Sequence, residues 1–157
     1  MTIKLLAIGK TDSKSLLRLI HEYEGRLKHY VKFELEIIPD IKNTKKLSTI
    51  QQKEKEGEAI LKRLNPTDTP ILLDENGKQF SSVDFSNFLQ KKMNAGSKRL
   101  VLIIGGPYGF SDAMYDMAKG KISLSKMTFS HQMVRLFVVE QLYRAFTILR
   151  NEPYHHR

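Results

Sequence analysis

The sequence predicts an α/β protein built around a parallel β-sheet. Short apolar runs at residues 2–8, 33–38 and 100–104 are typical of buried strands, and the apolar residues between 16 and 27 recur at helical spacing on one face. Strands that are separated by a helix pair in parallel, because a parallel connection needs a crossover of that length. At 157 residues the chain is long enough for one buried core and too short for two ordinary domains, so residues 1–157 are interpreted as a single domain.

The order of the next elements continues this alternation. After a basic, turn-like stretch at 42–46, the segment from about 48 to 64 is predicted to be a largely exposed helix, because few apolar residues anchor it. A short buried strand at 70–73 is expected to end in the turn signal Asp-Glu-Asn-Gly at 74–77.

Two serines mark the starts of later helices. Ser81 and Asp84 form the pattern of a capping box that opens a helix running to about residue 93. Ser111 is a candidate N-cap of a short helix, and a strand is predicted at 121–124.

Composition and charge restrict the class of protein and its partners. The chain has 26 Lys and Arg against 17 Asp and Glu, and this formal net charge of +9 favours a polyanion such as RNA as partner. It contains no cysteine, which excludes disulfides and a cysteine nucleophile, and no metal is expected. No segment has the length of a signal-peptide core or of a membrane span, so a cytoplasmic protein without membrane contact is expected.

The most specific local signal is a glycine turn directly after the strand at 100–104. Residues 105–109 are Gly-Gly-Pro-Tyr-Gly. Such a turn exposes backbone groups at the carboxyl end of a strand, where open α/β sheets bind ligands, but it can also serve only to lead the chain into the next helix. Its G-G-x-x-G spacing is not the dinucleotide fingerprint and no G-K-[ST] follows, which disfavours a Rossmann or P-loop enzyme.

A second candidate loop lies at 124–131, with the sequence Leu-Ser-Lys-Met-Thr-Phe-Ser-His. By itself this segment fits a strand end followed by a helix start, with Thr128 or Ser130 as the cap. Beside the glycine turn it is also suited to form the second wall of a ligand site. A site made of loop backbone and apolar side chains would carry neither of these phosphate-binding fingerprints.

The glycine turn, the 124–131 segment and the terminal Tyr-His-His-Arg at 154–157, in this order, resemble the SPOUT-class ribosomal RNA methyltransferases of the RlmH type. The resemblance extends from Met1 to the terminus. It implies a parallel-sheet SPOUT fold with a C-terminal trefoil knot, an exception to the usual unknotted topology, and a homodimer. It also implies methyl transfer from S-adenosylmethionine to N3 of a pseudouridine in 23S ribosomal RNA on the assembled ribosome.

The same resemblance assigns the site residues. The tail residues Tyr154 and His155 are implied to complete the active site, in place of the alternative of a frayed terminus. Two departures from the family are a second histidine, His156, before the terminal arginine, and Ser130 where many relatives have proline. The cofactor-binding residues implied by the match come from three separate loops: Leu73, Gly105, Leu124, Ser125, Lys126, Met127, Thr128 and Phe129.

A helix from about 132 to 150 is apolar on more than one face. It is either a central core helix or a helix with one face on a partner subunit, and the resemblance favours the partner. Glu140 and Arg144 lie one turn apart in the favourable order for an ion pair. Arg135 lies among apolar residues, where its guanidinium either snorkels to solvent or grips a phosphate or base in the catalytic site.

The function expected from this combination is ribosomal RNA methylation without a metal. The target base must be unpaired or extruded from a helix to be reached. The main alternative is a non-catalytic ribosome-associated factor that uses the same fold and charge to bind RNA. A nucleotide-binding enzyme is the third interpretation, and it rests on the glycine turn alone.

Overall fold

The computed structural model describes residues 1–156 and contains a parallel β-sheet at its centre. The five strands are arranged in the order β2-β1-β4-β3-β5. Every pairing between them is parallel, which confirms the predicted α/β class. The strands are β1 (Thr2–Ile8), β2 (Lys32–Ile38), β3 (Asp68–Gln79), β4 (Arg99–Ile104) and β5 (Lys121–Ser123).

Helices cover both faces of the sheet. One face packs against α1, α3 and α5, and the other packs against α2 and α4. No helix within residues 1–156 is long and apolar enough to cross a membrane. The helices are α1 (Lys14–Leu27), α2 (Thr49–Leu61), α3 (Ser82–Asn94), α4 (Asp112–Met117) and α5 (His131–Leu149), with a 3₁₀ turn at Thr44–Lys46.

The two cores follow from the alternation of side chains along the central strands. In β4, Leu100 and Leu102 belong to the core beneath α1, α3 and α5, whereas Val101 and Ile103 belong to the core beneath α2 and α4. Successive strand residues point to opposite faces, so a strand covered on both faces must be apolar throughout. That requirement explains the continuous apolar run.

Serine caps set the helix starts as the sequence predicts, although the predicted capping box at Ser81 is incomplete: the Asp84 carboxylate accepts from Ser81 Oγ and not from the Ser81 backbone N–H. Ser81 Oγ accepts a hydrogen bond from the backbone N–H of Asp84 at 3.0 Å, and Ser111 caps α4 in the same way. At the start of α5 the cap is Ser130, whose Oγ accepts from the backbone N–H of Met133 at 3.2 Å. Of the two candidate caps, Ser130 is therefore the one used.

The predicted turn at 74–77 is wrong as the end of a strand, because β3 continues to Gln79. Both Leu73 and Lys78 pair with Ile122 of β5, so the residues between them bulge out of the ladder. The turn signal itself is real: the backbone N–H of Asn76 donates to Asp74 Oδ1 at 2.8 Å. After this local turn the chain rejoins β5, where a Cβ on Gly77 would lie 2.5 Å from the carbonyl carbon of Ile122.

The prediction of a largely exposed α2 is also wrong on one face. Glu56, Gly57 and Ile60 are buried. A Cβ on Gly57 would lie 2.8 Å from Ser111 Oγ, so this glycine allows α2 to approach the start of α4 closely. The sequence pattern does not predict this contact, because a glycine and a glutamate form much of the contact face.

Candidate cofactor site

Three loops meet at the carboxyl edge of the sheet and enclose a cavity of about 390 Å³, the glycine-loop cavity. The loops follow the paired part of β3, the end of β4 and the end of β5, which are neighbours in the sheet. Because parallel strands end at the same edge, segments distant in sequence converge there. Lys126 does not line the cavity, but the other predicted cofactor residues do: Leu73, Gly105, Leu124, Ser125, Met127, Thr128 and Phe129.

The glycine loop, residues 105–109, folds back on itself. The backbone N–H of Gly109 donates to the carbonyl of Gly106 at 3.2 Å, and Gly109 has φ +81°, a conformation that favours glycine. A Cβ on Gly105 would lie 3.0 Å from Cε1 of Phe110, which is buried. The need for glycine at 105 therefore comes first from close packing against Phe110.

Serine hydrogen bonds shape the opposite wall, residues 124–129. Ser123 Oγ donates to the carbonyl of Ser125 at 2.9 Å, and Ser125 Oγ accepts from the backbone N–H of Met127 at 3.0 Å. These bonds hold the loop in a tight turn. Met127 is 73% exposed, so the apolar rim of the cavity is open to solvent.

Acidic and phenolic groups supply the polar part of the lining. Asp74 and Glu75 come from the bulge in β3, and the Tyr115 hydroxyl donates to Asp74 Oδ2. Burial and this hydrogen bond raise the pKa of Tyr115 to about 12, so the phenol is protonated at neutral pH. Their sequence pattern predicts only a turn, so it does not place either carboxylate at the site.

Glu56 is a third polar residue whose place at this site the sequence pattern does not predict. Its side chain lies beside Gly106, is 4% exposed and accepts a hydrogen bond from Gln52 Nε2 at 3.1 Å through Oε1. Its Oε2 is one of two buried side-chain atoms that have no hydrogen-bond partner within the described residues. Burial raises the pKa of Glu56, and the nearby charge of Asp40 raises it further.

Arg135 holds α5 against the end of β1. Its guanidinium donates to the carbonyl of Ile8 at 2.7 Å and to Thr11 Oγ1 at 3.0 Å, and the residue is 2% exposed. It therefore does not snorkel to solvent, and it does not line the glycine-loop cavity. A catalytic role for Arg135 stays a prediction.

His131 lines the cavity at the start of α5. Partial desolvation of this still exposed side chain and the positive charge of Arg135 lower its pKa below the ordinary value of 6.5. The imidazole is therefore neutral at pH 7 and has one nitrogen free to accept a proton.

The tail packs on α5 away from the cavity of its own chain. Tyr154 donates to Glu140 Oε1 at 3.0 Å, and its ring lies 4.6 Å from the ring of Tyr143, centroid to centroid. His155 Nδ1 lies 3.3 Å from Arg144 Nη1. Neither Tyr154 nor His155 lines the glycine-loop cavity, so a catalytic role for them would require another arrangement of chains.

The contacts of the tail depend on the predicted ion pair of α5. Arg144 Nε donates to Glu140 Oε1 at 3.1 Å, which confirms the pair. The Arg144 guanidinium carbon also lies 4.7 Å from the centre of the Tyr154 ring. Hydrogen bonds and a cation–π contact thus order the tail, in contrast to a frayed terminus.

A second cavity, of about 290 Å³, lies beside the first and is mostly apolar. Phe129 and Phe137 line it, with ring centroids 5.1 Å apart, and Phe137 remains partly exposed. Val138 is buried in the core on the neighbouring face of α5. Part of the apolar surface of α5 is therefore left uncovered by the chain itself.

Comparison with known proteins identifies the class. The family model described as "Predicted SPOUT methyltransferase" matches residues 1–155, and the chain belongs to this family. A structure described as a probable methylase family protein from Haemophilus influenzae covers 95% of this chain and 66% of its own, with a TM-score of 0.53 and 13% identity. At that identity the likeness concerns the fold alone.

Close relatives cover the whole chain. A protein of Flavobacterium johnsoniae is 71% identical over 157 residues, which is 100% of both chains, and its name is "Ribosomal RNA large subunit methyltransferase H". Proteins of the same name from Christiangramia forsetii and Parabacteroides distasonis are 68% and 63% identical, over 100% and 99% of each chain.

Proposed function

We propose that this protein transfers a methyl group from S-adenosylmethionine to N3 of a pseudouridine in large-subunit ribosomal RNA, in the assembled ribosome. The observation that carries the proposal is the convergence of Leu73, Gly105 and the 124–129 loop on one cavity. Membership of a methyltransferase family, relatives named for large-subunit ribosomal RNA and a formal net charge of +9 support it.

The residues of the glycine-loop cavity fit S-adenosylmethionine. The cavity volume of about 390 Å³ falls within the range of about 300–1,000 Å³ that small-molecule sites occupy. Apolar side chains such as Leu124, Met127 and Phe129 dominate one wall, and no lysine or arginine within residues 1–156 lines the cavity for a phosphate. The carboxylates of Asp74 and Glu75 complement a ligand that carries positive charge.

The chain has two tasks in this reaction. When bound, S-adenosylmethionine supplies a methyl group on a positively charged sulfur that leaves with its bonding electrons. The protein must hold the pseudouridine N3 in line with that methyl group and must accept the N3 proton as the N–C bond forms.

A homodimer is the assembly that we propose for the active enzyme. In one chain, Tyr154 and His155 lie on α5 and outside the cavity, so a composite site would combine the cavity of one subunit with the tail of the other. The partly exposed Phe137 lies on the same helix and offers an apolar surface for the partner. In this arrangement the proton acceptor is His155 of the partner subunit.

The decisive experiment is mass spectrometry of ribosomal RNA from cells that lack this protein. Loss of one methylpseudouridine from the large-subunit RNA, restored by the gene, is the expected result. An unchanged modification profile would contradict the proposal.

A calorimetric titration separates the enzyme from the non-catalytic factor. Binding of S-adenosylmethionine to the purified protein supports the enzyme, whereas RNA binding without S-adenosylmethionine binding supports the factor.

A further inference from the structure

The glycine-loop cavity occupies only part of the carboxyl edge of the sheet. Strands β1 and β2 end at the same edge on the other side of β4, since the strand order is β2-β1-β4-β3-β5. The backbone N–H of Gly9 donates to the carbonyl of Ile38 at 2.8 Å, which holds the ends of these two strands together. The segments that follow them, 9–13 and 39–48, therefore lie on the side of the glycine loop that faces away from β3, one and two strands from β4.

These two segments carry exposed lysines that have no acidic partner. Lys10, Lys42, Lys45 and Lys46 are exposed, and none of them forms an ion pair within residues 1–156. We call these four residues the basic flank. Several cations elsewhere on the sheet are paired instead, as Lys4 is with Glu36 and Arg99 with Asp68.

The basic flank is built on ordered backbone. Asn43 has φ 60°, and the 3₁₀ turn after it is closed by a hydrogen bond from the N–H of Leu47 to the carbonyl of Thr44 at 3.0 Å. Ser48 and Gln51 then form a capping box that starts α2. Because the turn and the cap fix the backbone, the lysines of this segment extend from a defined position at the carboxyl edge of the sheet.

We propose that the basic flank binds phosphates of the ribosomal RNA strand that leads to the base held in the glycine-loop cavity. This inference rests on the proposed function and names the surface that docks the substrate. Lysine ammonium groups bind phosphates as point charges and position RNA without reading its sequence.

The dimensions agree with this role. Two strand spacings separate β2 from β4, roughly 10 Å at about 4.8 Å each. That distance corresponds to roughly three stacked nucleotides at about 3.4 Å each. Phosphates adjacent to the target nucleotide can therefore reach the lysines while the base enters the cavity.

A matched pair of triple variants tests the proposal. The test variant replaces Lys42, Lys45 and Lys46 by glutamine. The control variant replaces three exposed lysines near the amino edge of the sheet by glutamine and changes the net charge by the same amount: Lys32, Lys62 and Lys98. The measurements are binding to purified ribosomes and to protein-free large-subunit RNA as a function of salt, methylation of ribosomes, and calorimetric binding of S-adenosylmethionine.

The test variant is expected to bind both RNA probes more weakly by at least roughly ten-fold near 0.1 M salt, with a slope of log K against log [salt] that is smaller by about 2 to 3. S-adenosylmethionine binding should be unchanged in both variants, and the control should bind RNA like the unmodified protein.

Three results would overturn the inference. An equal loss of affinity in both triple variants would show only a general charge effect. Unchanged RNA binding by the test variant would show that the basic flank faces no phosphate. A loss for ribosomes but not for protein-free RNA would show that the lysines meet a ribosomal protein. Failure of the unmodified protein to methylate ribosomes is a separate result, which would overturn the proposed function and this inference with it.

Discussion

The carboxylate of Glu56 fills the space that a side chain on Gly106 would need. A Cβ on Gly106 would lie 2.4 Å from both carboxylate oxygens, closer than any non-bonded carbon–oxygen contact. Glu56 lies on α2 and is 4% exposed, so its carboxylate would have to leave a buried position to make room. Helix α2 and the glycine loop therefore pack as one unit, and a change in either should alter the wall of the cavity.

Gly106→Ala is expected to weaken S-adenosylmethionine binding by at least roughly ten-fold. It should also lower the free energy of unfolding by about 1–3 kcal/mol, because overpacking forces the loop and Glu56 apart. Calorimetry and urea unfolding measure the two effects. Gly25→Ala is the control, because nothing lies within 4 Å of a Cβ at that position of α1. It should stabilise the protein by about 0.5–1 kcal/mol and leave the affinity unchanged. Normal cofactor affinity of Gly106→Ala would contradict the packing argument.

Glu56→Gln should change how stability depends on pH. Burial raises the pKa of Glu56 above its ordinary value of 4.5, and the hydrogen bond from Gln52 partly offsets that rise. The negative charge of Asp40 raises the pKa further. The folded protein therefore binds the Glu56 proton more tightly than the unfolded chain does. The stability that this proton contributes is present below about pH 4.5 and is lost as the pH rises through the folded-state pKa.

The glutamine variant does not titrate at this position, so its stability relative to the unmodified protein should increase over that pH window. Urea unfolding at pH 4 and pH 8 measures the difference. Glu58→Gln, at an exposed position of the same helix, serves as the control and should not show the increase. If the free energies of unfolding of Glu56→Gln and the unmodified protein differed by the same amount at pH 4 and pH 8, titration of Glu56 in this range would be excluded.

Phe137→Glu should dissociate the proposed homodimer, raising its dissociation constant by at least roughly ten-fold, because a charge would replace an aromatic ring at the subunit contact. Sedimentation of the unmodified protein should give about twice the chain mass. Ile50→Glu is the control, since Ile50 is an exposed apolar residue, 64% exposed, on α2. Unmodified protein that sediments as a monomer at micromolar concentration would exclude the dimer.

Deletion of residues 154–157 should abolish methylation of ribosomes and leave S-adenosylmethionine binding nearly unchanged. The reason is that Tyr154 and His155 do not line the cavity of their own chain, although the proposed composite site requires them. Methylation is measured by transfer of a labelled methyl group, and cofactor binding by calorimetry. Full activity of the shortened protein would exclude a catalytic role for the tail.

Mixing subunits tests whether the tail acts on the partner. Subunits without the tail are re-equilibrated with subunits that carry Gly106→Ala, and methylation is assayed at an S-adenosylmethionine concentration that saturates the unmodified cavity but not the Gly106→Ala cavity. If each site combines one cavity with the tail of the other subunit, heterodimers should recover activity at about half of their sites, because one composite site then has both parts intact. Absence of recovery, with subunit exchange demonstrated, would place the tail with its own cavity instead.

Apolar pattern and turn chemistry predict much of this fold. The continuous run Leu100–Ile104 predicts a strand buried on both faces, and β4 is such a strand. Serine caps at 81, 111 and 130 fix helix starts, because a side-chain oxygen bonds to a backbone N–H only three residues away. These features depend on neighbours in sequence, so they can be read from the sequence alone.

The same local rules fail where a distant segment decides the outcome. The signal at 74–77 does form a turn, but β3 continues beyond it because Ile122 of β5 pairs on both sides of the bulge. By its sequence context Glu56 is expected to be a solvent-facing helix residue, but in the structure it packs against Gly106. The trefoil knot, which the family resemblance implies, stays a prediction.

By itself, the sequence determined the parallel α/β class and the helix caps. Its family resemblance implies eight cofactor residues, seven of which line one cavity. Only the tertiary structure decided that Asp74 and Glu75 face that cavity, that Arg135 bonds to Ile8 and Thr11, and that the tail lies on α5. The physical reason is that strand and cap patterns arise from contacts within a few residues. The direction of a polar side chain depends on whichever distant segment the sheet places beside it.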